Sequence, residues 1–135
     1  MAETIKNYPP NYENIQLAGF GKESGIYAYK DKIYVPSGKE IPPDIQYHEE
    51  VHLERQKDNV ELWWYNWIIS PKFRQEEELI AYAEQVQRVR EKLGSKAGES
   101  CLDEAADNLA SDIYKLGITK HQAKTLIRQK ARDVV

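Results

Sequence analysis

Residues 47–56 read YHEEVHLERQ, and the five at the centre, HEEVH, set the terms for the rest of the chain. Ile45, His48, Val51, His52 and Arg55 recur at helical spacing, and Pro42 and Pro43 suit a helix entrance. On a helix, residues four apart lie one above the other on the same face, so His48 and His52 can present both imidazoles to a single metal ion. Glu49 sits one step round, at the edge of that face. A carboxylate there could take a proton from a water held by the metal, which is the mechanical content of H-E-x-x-H. The competing reading is two histidines sharing a partly buried stripe, with Glu49 in solvent.

A catalytic zinc needs a third protein ligand and an open position. No third histidine follows at short range, since the next is His121. A carboxylate from another helix is the remaining source, and the obvious one is the run of three glutamates, Glu76, Glu77 and Glu78, in FRQEEELIAYAEQ, residues 73–85. Leu79, Tyr82, Ala83, Val86 and Leu93 define an apolar stripe on that second helix. At about 100° per residue, Glu77 points away from the stripe, while Glu76 and Glu78 lie on its two borders. Spacing alone does not choose between those two, and an acidic first turn is also an ordinary solvated feature favoured by the helix dipole.

HEEVH followed by PKFRQEEELIAYA resembles the gluzincin group of zinc metallopeptidases, in which a second helix supplies a glutamate in a pattern of the type E-x-x-A-[DN]. The matching residues here are Glu78-Leu79-Ile80-Ala81-Tyr82. The cadence of the stretch is also similar to small H-E-x-x-H proteins of phages and prophages and to the ImmA/IrrE group of regulatory peptidases. The resemblance spans roughly residues 44–87. It implies zinc held by His48, His52 and Glu78, Glu49 as general base, and hydrolysis of a peptide or protein substrate. Tyr82 stands where gluzincins often carry Asp or Asn. Its hydroxyl could orient a ligand imidazole or act as an oxyanion donor, or the ring could be a core aromatic with a wet tip. His121 matches a late histidine that some gluzincins use at the transition state; its other reading is an exposed residue near a helix start.

Working outward, residues 1–11 read as a loose arm, because YPPNY cannot continue a helix or a central strand. NIQLAGF is expected as a first strand. The Gly-rich GFGKESG lacks the third glycine of a dinucleotide fingerprint and the ending of a P-loop. GIYAYKDKIYVP reads as a β-hairpin, and KIYVP as the strand along which an extended substrate would add, as zincins generally arrange it. VELWWYNWIISPKF is ambiguous between a short helix and an irregular wedge. Trp63, Trp64, Tyr65 and Trp67 there are either a binding surface or rings filling the space between the two ligand helices. A long helix is expected over about 72–93, a loop at GSKAGES, and helices over about 102–116 and 120–131. Gly117 is a natural stop, and Thr119 with Gln122 makes a capping box. Arg74 could stabilise a carboxylate or oxyanion, or simply pair with a neighbouring glutamate.

The expected fold is therefore α+β: a small antiparallel hairpin sheet packed on the HEEVH helix and a second ligand helix, then a helical C-terminal part. One zincin-like domain is expected over residues 1–135, with an arm at 1–11, a zinc-site core at 12–93 and a helical pair at 100–135. Its 135 residues suit one domain, and 41% hydrophobic content with nine Tyr and three Trp argues for a folded chain. The single Cys101 rules out an internal disulfide, which fits a reducing compartment. The N-terminus has no apolar core of a signal sequence and no run reaches the length of a membrane span, so a cytoplasmic protein without membrane partners is expected. The rival function is a binding module. In it, LASDIYKLGITKHQAKTLIRQKA forms a helix-turn-helix-like pair, and Lys120, Lys124, Arg128 and Arg132 track nucleic-acid phosphates. The net charge of −3 gives this no whole-chain support. Oligomeric state and substrate identity are not readable from the sequence.

Overall fold

The computed structural model describes residues 1–133. The fold is α+β, with six helices and a three-stranded mixed sheet among the described residues. The chain divides into two compact units, Met1–Ile69 and the residues from Ser70 onward.

In the first unit the hairpin is present: β2 (Tyr27–Tyr29) and β3 (Lys32–Tyr34) pair antiparallel with Ala28 opposite Ile33. Lys30, at φ 62°, turns the chain between them. The sheet is not the purely antiparallel one expected, and the N-terminal arm is not wholly loose. Residues Glu3–Ile5 form a strand, β1, that pairs parallel to β3 with Thr4 opposite Ile33. The sheet order is β1-β3-β2, so KIYVP supplies the central strand and both of its edges are taken. A substrate cannot add to β3 while β1 is in place.

NIQLAGF is not a strand. Residues Tyr12–Leu17 form a short helix, α1, in which Ile15 is fully buried and Leu17 is 79% exposed. In a strand these two would share a face; in a helix a step of two residues, about 200°, puts them on opposite sides.

Helix α2 (Pro43–Gln56) carries HEEVH and begins, as expected, on the two prolines. Its polar side chains tie it to the backbone of the sheet and of the residues beside it. Gln46 Nε2 donates to the Ala2 carbonyl at 3.0 Å, and Glu50 Oε2 accepts from the Ala2 amide at 2.7 Å. At the other end, Gln56 Nε2 donates to the Ala28 carbonyl at 2.8 Å and Gln56 Oε1 accepts from the Lys30 amide at 2.9 Å. The ambiguous aromatic segment is a helix, α3 (Val60–Ile69), burying Trp63, Trp64 and Trp67 and exposing Tyr65. Trp64 Nε1 also donates to the Ala28 carbonyl, at 2.9 Å.

The second unit is three helices: α4 (Pro71–Leu93), α5 (Ser95–Ala110) and α6 (Lys120–Asp133). The Ser70 hydroxyl caps α4 by accepting from the Phe73 amide, with Pro71 in the first turn. Leu79, Tyr82 and Val86 of α4 pack with Leu102, Ala105, Ala106 and Leu109 of α5 and with Ala123 and Ile127 of α6. GSKAGES is not a loop: the break is the single Gly94, at φ +95°, and α5 starts directly after it and ends at Ala110, short of Gly117. The capping box of α6 forms in full. Gln122 N donates to Thr119 Oγ1 at 3.1 Å, and Thr119 N donates to Gln122 Oε1 at 2.9 Å. Among the described residues no helix is long and apolar enough to cross a membrane.

Candidate metal centre

His48 and His52 lie one turn apart on α2, both buried, with ring centroids 4.9 Å apart in an edge-to-face arrangement. The Trp63 ring of α3 stands 5.2 Å from that of His52, so an aromatic wall flanks the second imidazole. Glu49 is not in solvent. It is 9% exposed, and its Oε2 lies 4.0 Å from His48 Nε2.

On α4, the first-turn glutamates separate by environment. Glu76 is exposed and pairs with Lys130 of α6. Glu77 and Glu78 are both buried. The burial of Glu77 corrects the helical-wheel expectation, because the apolar stripe marks only the side of α4 that meets apolar partners. Arg74, Glu77, Glu78 and Gln85 are buried as well, so the enclosed part of α4 is wider than its apolar stripe.

One ligand atom from each of His48, His52 and Glu78 lies within 4.8 Å of the other two, and all three residues are buried. Two imidazoles and a carboxylate are a donor set that suits zinc and leaves a fourth position open. Ligand atoms of a tetrahedral zinc site stand about 3.4 Å apart, given bonds near 2.1 Å. Glu76 and Glu77 are not part of the grouping.

Around Glu78 the second unit builds a polar network. Arg74, one turn earlier on α4, is buried and donates from Nε to the Tyr114 carbonyl at 2.7 Å. Burial pushes the Arg74 pKa down, and the Glu78 carboxylate draws it back up. The Tyr82 ring lies in the apolar core of the unit, and its hydroxyl is 2.7 Å from the Tyr114 hydroxyl. Tyr114 carried no sequence signal for this contact: it lies beyond α5, 32 residues from Tyr82, within the stretch read as a helix-turn-helix-like pair. His121 is exposed in the first turn of α6 and is not among the clustered ligands. Cys101 is buried in the helical core.

The basic residues of α6 face acids of α5. Lys120 Nζ lies 3.0 Å from Asp103 and 3.2 Å from Asp107, Lys124 Nζ 3.4 Å from Asp103, and Arg128 Nη2 3.0 Å from Glu99. Three of the four cations expected to track phosphates are engaged within the unit. Comparison of the chain with protein-family models, with curated proteins and with solved structures finds no match.

Proposed function

We propose that this chain is a zinc-dependent metallopeptidase, with His48, His52 and Glu78 as metal ligands and Glu49 as the general base. The observation that carries the reading is the convergence of three buried donors, two from an H-E-x-x-H helix and one from α4, within 4.8 Å. Bound zinc would supply Lewis acidity, polarising a peptide carbonyl and making water acidic enough to react near neutral pH.

The chain's own residues do the rest. Glu49 takes the proton of the attacking water and returns it to the departing amine, so one carboxylate serves both halves of the reaction. Its burial holds it in a setting where that proton is not lost to bulk water. Trp63 against His52 restricts the imidazole's rotation. Arg74 holds the helix turn that carries Glu78 by anchoring to the Tyr114 backbone. Tyr82, engaged with Tyr114, serves the core around the site rather than the substrate. An extended substrate on β3 is not part of this reading, because β1 fills that edge. A cytoplasmic setting is in keeping with a lone, buried cysteine.

The test is a pair of measurements on the full chain. Protein purified without added metal should hold about one zinc per chain on the proposed ligand set. Glu49→Gln should keep that zinc and abolish cleavage of a peptide library. Zinc-free protein, or undiminished turnover in the variant, would count against the scheme.

A further inference from the structure

The ion pairs between α5 and α6 form a ladder with a regular register. Lys120 meets Asp107 and Asp103, Lys124 meets Asp103, and Arg128 meets Glu99. Each step is four residues along α6 and four back along α5, as two antiparallel helices require. The next cation is Arg132, and the register carries it to the level of Ser95, where no acid stands. The fourth rung has a cation and no carboxylate.

A cavity of about 470 Å³ opens at this end of the unit. Its apolar lining is Val86 of α4, Leu102 of α5 and Ala131 of α6, and its polar lining includes Arg90, Arg128 and Arg132. Glu99 is the one carboxylate that the described residues pair with these guanidiniums, 3.0 Å from Arg128 and 3.8 Å from Arg90. Arg90 is held in place by close helix packing: a Cβ on Gly98 of α5 would come within 2.8 Å of the Arg90 Cβ. Three arginines stand around an apolar floor, and Glu99 pairs with two of them. Guanidinium forks match carboxylate and phosphate oxygens, and a volume of this size suits a small molecule.

We propose that this cavity binds a small organic anion, a carboxylate or phosphate head on an apolar body, whose head takes the place of the acid missing from the fourth rung. The site lies wholly within the helices from Ser70 onward and does not depend on the metal reading.

The experiment is calorimetric titration of the full chain with octanoate, octyl phosphate and inorganic phosphate. At least one of the two amphiphiles should bind saturably, and inorganic phosphate, which lacks the apolar body, at least about tenfold more weakly. Comparing the two heads decides which the site prefers. Arg132→Gln and Arg90→Gln should each weaken the amphiphile about tenfold or more. Ser95→Glu supplies the missing rung from the chain itself. It should compete with the ligand to a similar extent while leaving the melting midpoint unchanged or higher, which separates lost binding from lost folding. Absence of saturable binding by both amphiphiles, or binding undiminished in all three variants, would overturn the proposal.

Discussion

Glu76, Glu77 and Glu78 are adjacent in sequence and have three different environments, and a metal titration of their alanine variants separates them. Glu78→Ala should lower zinc affinity by orders of magnitude, since it removes the anionic member of a three-ligand set. Glu76→Ala gives up an exposed pair with Lys130 and should cost less than about 1 kcal/mol of stability with zinc affinity unchanged. Glu77→Ala should leave zinc affinity near that of the parent but lower stability, because Glu77 is a buried polar side chain with its own interactions. Loss of metal in Glu76→Ala instead would move the ligand by half a turn. Tyr82 sets a second test. If its hydroxyl serves the core, Tyr82→Phe and Tyr114→Phe should each cost about 1 kcal/mol by thermal unfolding and leave peptide turnover nearly intact. A hundredfold fall in kcat for Tyr82→Phe alone would make it a catalytic donor. At this scale the shared face of the two histidines was legible in the sequence, because five consecutive residues state the geometry, whereas the burial of Glu49 was left open. Glu78 was narrowed by periodicity only to one of two and needed a resemblance to be chosen. The burial of Glu77 was not legible, since an apolar stripe says nothing about polar side chains enclosed beside it.

The elements read correctly were those with long periodicity or explicit capping: α2 from its prolines and histidine face, α4 from five apolar positions, and α6 from the Thr119–Gln122 box. The misread ones were short or depended on distant partners. β1 has three residues, and only its pairing with β3, almost thirty residues later, makes it a strand. α5 was started too late because SKAGES has loop composition, yet Gly98 is a packing residue there rather than a breaker. This gives a prediction with an unusual sign. Gly→Ala in a helix normally stabilises by up to about 1 kcal/mol. At Gly98 the added methyl would meet the Arg90 Cβ at 2.8 Å and its backbone Cα at 3.2 Å, so the helices must part. Gly98→Ala should therefore destabilise by roughly 1–3 kcal/mol in denaturant unfolding. A more stable variant would mean that α4 and α5 are not so closely apposed.

For the whole molecule, the net charge of −3 conceals a specific arrangement, in which three of the C-terminal cations, Lys120, Lys124 and Arg128, are matched by α5 acids and Lys130 by Glu76 of α4. The sequence showed the basic run but not its partners, because charge counted along the chain is blind to a neighbouring antiparallel helix. What remains is a small fold, 135 residues long, with buried histidines and glutamates among its core polar groups. Enclosing such groups costs free energy unless they are paired or bind a metal. Zinc that binds the folded chain and not the unfolded one adds RT ln(1 + [Zn]/Kd), about 2.7 kcal/mol at a hundredfold excess over Kd. For a chain of this length that corresponds to a melting midpoint roughly 10 °C higher with zinc than after chelation. Glu49→Gln should retain the shift, because Glu49 is not a ligand in the proposed set. His48→Ala and Glu78→Ala should lose most of it, measured as the difference between metal-loaded and chelated samples of each variant. Scoring each variant against itself removes any change in baseline stability. A parent protein whose midpoint is indifferent to chelation would sever metal binding from the folded state, and the His48, His52 and Glu78 assignment would fall with it.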